Sequence, residues 1–69
     1  MTLDQLCALV ARQLGRVAVD PDARLVEDLA ADSMDLVAVL AAIEEAGGAA
    51  LDETVFAEVA TCRDLHARM

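Results

Sequence analysis

Apolar residues recur along the first part of the chain with the spacing of a helix. Leu3, Leu6, Cys7, Val10 and Leu14 stand at i, i+3, i+4, i+7 and i+11, which places them on one helical face. Thr2 followed three residues later by Gln5 is a capping-box pattern, and Gly15 is a stop signal. Together these predict a first helix over residues 3–14. Val17 and Val19 then lead into Asp20-Pro21-Asp22, a turn whose proline disfavours helix at the residue before it. Residues 15–32 therefore form one long connection. A connection of that length should be functional or pinned by its own side chains. Val19, Leu25, Val26 and Leu29 are the apolar residues available.

The second apolar run has no polar face. Asp32 caps a helix that takes in Leu36-Val37-Ala38-Val39-Leu40-Ala41-Ala42-Ile43, reaches about Ala46 and stops at Gly47-Gly48. A helix apolar all round is normally covered on more than one side, and 69 residues supply too little protein for that. Leu36, Val39, Leu40 and Ile43 are expected to face the core. Met34, Val37 and Ala41 are expected to face outward as a stripe for a partner; the plainer alternative is ordinary core residues or scattered exposed ones. Asp52 caps a short third helix over about 53–58, with Val55 and Phe56. Thr61 and Asp64 form another capping pair, starting a last helix that reaches about Arg68. Val59, Leu65 and Cys62 supply its core contacts, with Cys62 half exposed. No repeat or low-complexity segment interrupts residues 1–69, which read as one all-α domain.

Charge sharpens this picture. The net charge is −8, and residues 27–58 carry nine acids and no base. Such a surface repels nucleic-acid backbones, and the chain has no Trp or Tyr on which bases would stack. The acidic middle is either a solvated face or a docking surface for basic partners. The apolar run from Leu36 to Ile43 is far below the ~20 residues of a membrane span, and no signal-peptide pattern opens the sequence. A cytoplasmic monomer is the expectation. Cys7 and Cys62 are then reduced thiols, Cys7 in the core. With His66 they lack the spacing of a metal site.

Little catalytic chemistry is visible. There is no glycine-rich phosphate loop, and Ser33, Cys7, Cys62 and His66 fall in no nucleophile–base motif. One position stands out: Ser33 in the first helical turn, within Asp28-Leu29-Ala30-Ala31-Asp32-Ser33-Met34-Asp35. For an isolated serine there, helix capping is the ordinary role.

The stretch from Leu25 to Asp35 resembles the attachment segment of the acyl carrier proteins. Val37, Ala42, Glu44, Glu45, Asp52-Glu53 and Thr61 continue the similarity, as do the opening helix and the Val19-Asp20-Pro21 turn. The resemblance implies a small four-helix bundle with a long loop between helices 1 and 2 and a short third helix. It implies a carrier, not an enzyme, with a 4′-phosphopantetheine arm on Ser33 flanked by Asp32 and Met34. The arm would come from coenzyme A through a phosphopantetheinyl transferase. Asp35, Val37, Ala41, Glu44 and Glu45, with Met34, would face partners: acyl-loading and condensing enzymes with basic docking patches. Leu36, Leu40 and Phe56 would shelter a short acyl chain. The positions of Asp32 and Asp35 suggest partner docking or metal approach.

Three departures from the family pattern carry expectations. Ala30 replaces the usual glycine, so the backbone there should avoid positive φ. Ala38 replaces an acidic residue common in fatty-acid carriers. Residues 46–51 lack the large apolar residue that usually follows the Glu pair, so a smaller core and a mobile region around 46–60 are expected, with Phe56 filling part of the space. The chain also has no Lys. These features lean toward a carrier of polyketide or related natural-product synthesis, and the chain's ends suggest a freestanding one. A fatty-acid carrier, an aminoacyl or peptidyl carrier, and a non-carrier acidic adaptor remain the alternatives.

Overall fold

Each helix begins where a short polar side chain can take up a free backbone N–H. In the computed structural model, which describes residues 1–69, α1 spans Leu3–Leu14, α2 Ser33–Glu45 and α3 Cys62–Ala67. A 3₁₀ turn, Glu53–Ala57, precedes α3. Thr2 Oγ1 accepts from Gln5 N at 3.1 Å, and Gln5 Oε1 accepts from Thr2 N at 2.9 Å. Asp32 with Asp35, and Thr61 with Asp64, repeat this reciprocal box at α2 and α3. Gly15 closes α1 in the left-handed region at φ 68°. The predicted all-α bundle is the observed fold, with the short third helix realised as 3₁₀. Thr54 and Val55 are β-branched and α-helix-averse, and the segment closes i→i+3 bonds such as Val55 N to Asp52 O at 3.0 Å.

The core lies between α1, α2 and α3. Leu6, Val10, Val39, Ile43, Cys62 and Leu65 are almost wholly buried. Leu9 and Ala11 are buried as well, so α1 is covered more widely than its sequence face implied; it packs on α2 and on α3. Cys62 is fully buried, which corrects the half-exposed expectation. As the first residue of α3 its side chain turns inward toward α1.

The long connection is pinned mainly through its backbone. Leu25 N donates to Ala60 O at 2.8 Å beside an antiparallel bridge between Arg24 and Thr61. Arg63 binds Asp22 at 2.7 Å and Arg16 Nη2 donates to Leu29 O at 3.2 Å. Val19 and Leu25 are buried and Leu29 is half-buried, as expected of pins. Val26 is not a pin: it is 57% exposed. The avoidance of positive φ at Ala30 also fails, because Ala30 sits at φ 56°. Its neighbour explains why: Ala31 is buried and donates to Leu25 O at 3.0 Å, and the chain must turn sharply at Ala30 to make that bond. Beyond α2, Val55 and Val59 are buried, and Leu51 and Phe56 pack partly against the core. No helix is long and apolar enough to cross a membrane.

Candidate functional site

The start of α2 assigns two adjacent polar residues different roles. Asp32, in extended conformation, is the N-cap: Oδ1 accepts from Asp35 N at 2.8 Å. Asp35 returns the bond, its carboxylate accepting from Asp32 N at 3.1 Å. Both acids are therefore engaged in holding the helix start. Ser33 follows as the first helical residue. It is exposed, and its hydroxyl has no hydrogen-bond partner in the protein. Capping, the ordinary role for serine here, has been taken over by Asp32. What remains is an accessible primary alcohol at the end of a pinned loop.

That loop is held by a charge cluster. The Arg24 guanidinium binds Asp28 at 2.9 Å and also pairs with Glu27. The hydrogen bond from Arg24 holds the Asp28 carboxyl below its ordinary range. Asp28 N and Leu29 N both donate to Arg24 O, at 2.9 and 3.0 Å. The segment approaching Ser33 is thus a wound, bonded turn.

Around Ser33 the surface is apolar with an acidic rim. Met34 is 80% exposed and Val37 47% exposed. Ser33, Leu36, Val37 and Phe56 border a groove of about 340 Å³ whose other lining residues are Glu53 and Thr54. Val37 and Glu53 also line the adjoining groove, which continues along Leu40, Ala41 and Glu44. The structure thus brings Ser33, Val37, Ala41 and Glu44 onto one side of α2. Glu45 is exposed but lines neither groove. Asp35 is nearly opposite on the helix and half-buried, with its carboxylate in the cap. Neither Glu53, which the sequence offered only as part of the family similarity, nor Thr54 was expected to line the site. The Asp52 cap was the available signal, since it fixes where the first 3₁₀ turn meets α2.

Arginines neutralise the acids elsewhere: Asp22 pairs with Arg63, Glu27 and Asp28 with Arg24, and Glu58 with Arg68. Glu44, Glu45 and Glu53 have no ion pair. No three candidate metal ligands converge. His66 Nε2 lies 2.9 Å from Met1 O.

These features have counterparts in known proteins. The family profile described as "Phosphopantetheine attachment site" matches residues 4–69. The acyl carrier protein of Syntrophobacter fumaroxidans (strain DSM 10017 / MPOB) is 34% identical over 59 residues, covering 83% of this chain and 73% of that protein. The chain belongs to the phosphopantetheine-attachment family of acyl carrier proteins. It is a carrier and not a catalyst, and its function runs through a phosphopantetheine arm.

Proposed function

We propose that Ser33 bears the arm, as a phosphodiester made from coenzyme A by a phosphopantetheinyl transferase, and that the chain serves a specialised polyketide or related natural-product pathway. The observation that carries the first part is the division of labour at α2: Asp32 caps, and the exposed Ser33 hydroxyl has nothing to do within the protein. When bound, the group supplies a terminal thiol that holds acyl chains as thioesters.

The chain's own residues contribute position and environment. Asp32 and Asp35 lock the first turn, so the Ser33 oxygen is held at a fixed point. The amides of Ser33 and Met34 have no protein acceptor, and such free N–H groups at a helix start favour an anionic substituent. Met34 offers a flexible apolar contact beside it. Leu36, Val37 and Phe56 give a short acyl chain an apolar surface next to the attachment point. Val37, Ala41, Glu44 and Glu45 present partners with an apolar strip and unpaired negative charge, complementary to basic docking patches. The pathway reading rests on Ala38, half-buried on α2 where an acid is common in fatty-acid carriers, and on the absence of Lys.

Intact-mass measurement after incubation with coenzyme A, Mg²⁺ and a broad-specificity transferase tests the assignment. One phosphopantetheinyl addition is expected in the native chain and none in Ser33→Ala. Addition to Ser33→Ala, or none to the native chain, removes Ser33 from this role. In the same assay, rates that ignore added salt would argue against acidic steering.

A further inference from the structure

Phe56, the chain's single phenylalanine, stands between two hollows and is the one residue that lines both. On one side is the groove of about 340 Å³ that begins at Ser33 and runs past Leu36 and Val37. On the other is a smaller, more enclosed hollow of about 150 Å³, walled by residues 24–27 of the long connection and by Val59 and Ala60. The walls are bonded in place: Leu25 N donates to Ala60 O at 2.8 Å, and Val59 N donates to Val55 O at 3.1 Å. The 3₁₀ turn that carries Phe56 is closed by Val55 N on Asp52 O at 3.0 Å and by Thr54 N on the Asp52 carboxylate at 2.9 Å. The ring itself is half-buried and packs against the core. Val39, Leu40 and Ile43, on the inner side of α2, are part of that filled core.

We propose that Phe56 is the residue that sets acyl-chain length in this carrier: its ring ends the Ser33 groove as a wall, so that the protein covers a short acyl group and leaves the far end of a long one in water. The proposal rests on Ser33 bearing the arm.

An apolar tail that starts at Ser33 has two directions open to it. Along α2 the continuing groove is rimmed by Glu44, Asp52 and Glu53, and an alkyl tail lying there strips water from carboxylates. Toward the long connection, the hollow lined by Leu25, Val26 and Val59 suits a tail, but the Phe56 ring stands in front of it. Each further methylene stabilises the fold only while there is apolar surface for it to cover. A smaller side chain at position 56 joins the two hollows and moves the limit to longer chains.

The test loads the native chain, Phe56→Leu and Phe56→Ala from acetyl-, hexanoyl- and dodecanoyl-coenzyme A with a broad-specificity transferase, checks each product by intact mass and records its Tm. In the native chain the Tm is expected to rise from acetyl to hexanoyl and to stay level at dodecanoyl. In the variants it is expected to rise again at dodecanoyl, by several degrees in Phe56→Ala. A ring that only fills the core lowers the Tm of all three loaded forms alike, and that result overturns the proposal. So does a native Tm that keeps rising to dodecanoyl. The native chain gives a second reading that needs no variant. Between its hexanoyl and dodecanoyl forms the amide resonances of Val26 and Ala60 are expected to stay in place, and movement there means that the tail passes the ring. No mass addition at Ser33 removes the attachment and the proposal with it, whereas normal loading with a Tm indifferent to acyl length in all three proteins overturns the proposal alone.

Discussion

The starts of α2 and α3 are built from one local template and do opposite things. Each has a capping residue, Asp32 or Thr61, an aspartate three positions later, Asp35 or Asp64, and a nucleophilic side chain between them, Ser33 or Cys62. Cys62 is wholly buried against α1, while Ser33 is exposed and unpartnered. The capping bonds are local, so they form equally well in both. What separates the two is the direction in which the bundle presents the first turn. Helix-start chemistry thus becomes a handle for other proteins only where packing leaves it facing outward.

The sharpest way to break this comparison is to exchange polarity at the two positions. Cys62→Ser puts a hydroxyl where no water reaches, and a buried hydroxyl without a good partner costs about 1–3 kcal/mol. Ser33→Ala removes a hydroxyl that bonds nothing and is expected to shift stability by less than about 0.5 kcal/mol. Urea unfolding of both variants reads the difference directly. Equal losses would mean that Ser33 has a structural partner after all, or that the Cys62 site is wet.

What the sequence made legible divides along the same line. Helix starts were readable because the cap bonds of Thr2, Asp32 and Thr61 lie within three residues of the side chains that make them. The serine was readable because its neighbours follow a family pattern. The inward turn of Cys62 and the burial of Leu9 and Ala11 depend on how α1 lies against α2 and α3, which no local pattern records. Val26 was misjudged for a related reason: it is as apolar as Leu25, and only the turn at Arg24 decides which of them faces inward. Ala30 was read from intrinsic preference, which the Ala31–Leu25 bond overrides.

Acid provides a second, graded comparison. Asp22 is held below the ordinary carboxylate range by its bond from Arg63, Asp28 by Arg24, Asp52 by the N–H of Thr54, and Asp64 by the N–H groups of Ala60 and Thr61. A carboxyl held low in the fold binds fewer protons folded than unfolded, so protonation favours unfolding. Its contribution is complete above the unfolded aspartate value of about 3.9 and is lost as pH falls through the lower folded value. The Tm is therefore expected to hold steady from neutral pH to about 5 and to fall below about 4. Asp64→Asn should start lower at neutral pH and fall less steeply, because it removes one of the linked groups at α3. A Tm that instead climbs steadily into acid would show that relief of the −8 net charge outweighs the caps.

The smallest effect is expected at Ala30, two residues before the α2 cap. At φ 56° an alanine methyl crowds the following carbonyl, at a cost of about 1–2 kcal/mol relative to the right-handed region. Glycine removes that strain but makes the unfolded chain more flexible, which offsets about 0.4–1 kcal/mol of the gain. Ala30→Gly should therefore stabilise the chain slightly, by a few tenths of a kcal/mol, with the Ala31 N–H bond to Leu25 O retained. Urea unfolding gives the net change, and amide exchange at Ala31 reports whether the turn survives. A loss of stability with faster exchange at Ala31 would mean that the methyl group holds the turn in place, and that the loop before Ser33 is set by the alanine itself rather than by the bonds on either side of it.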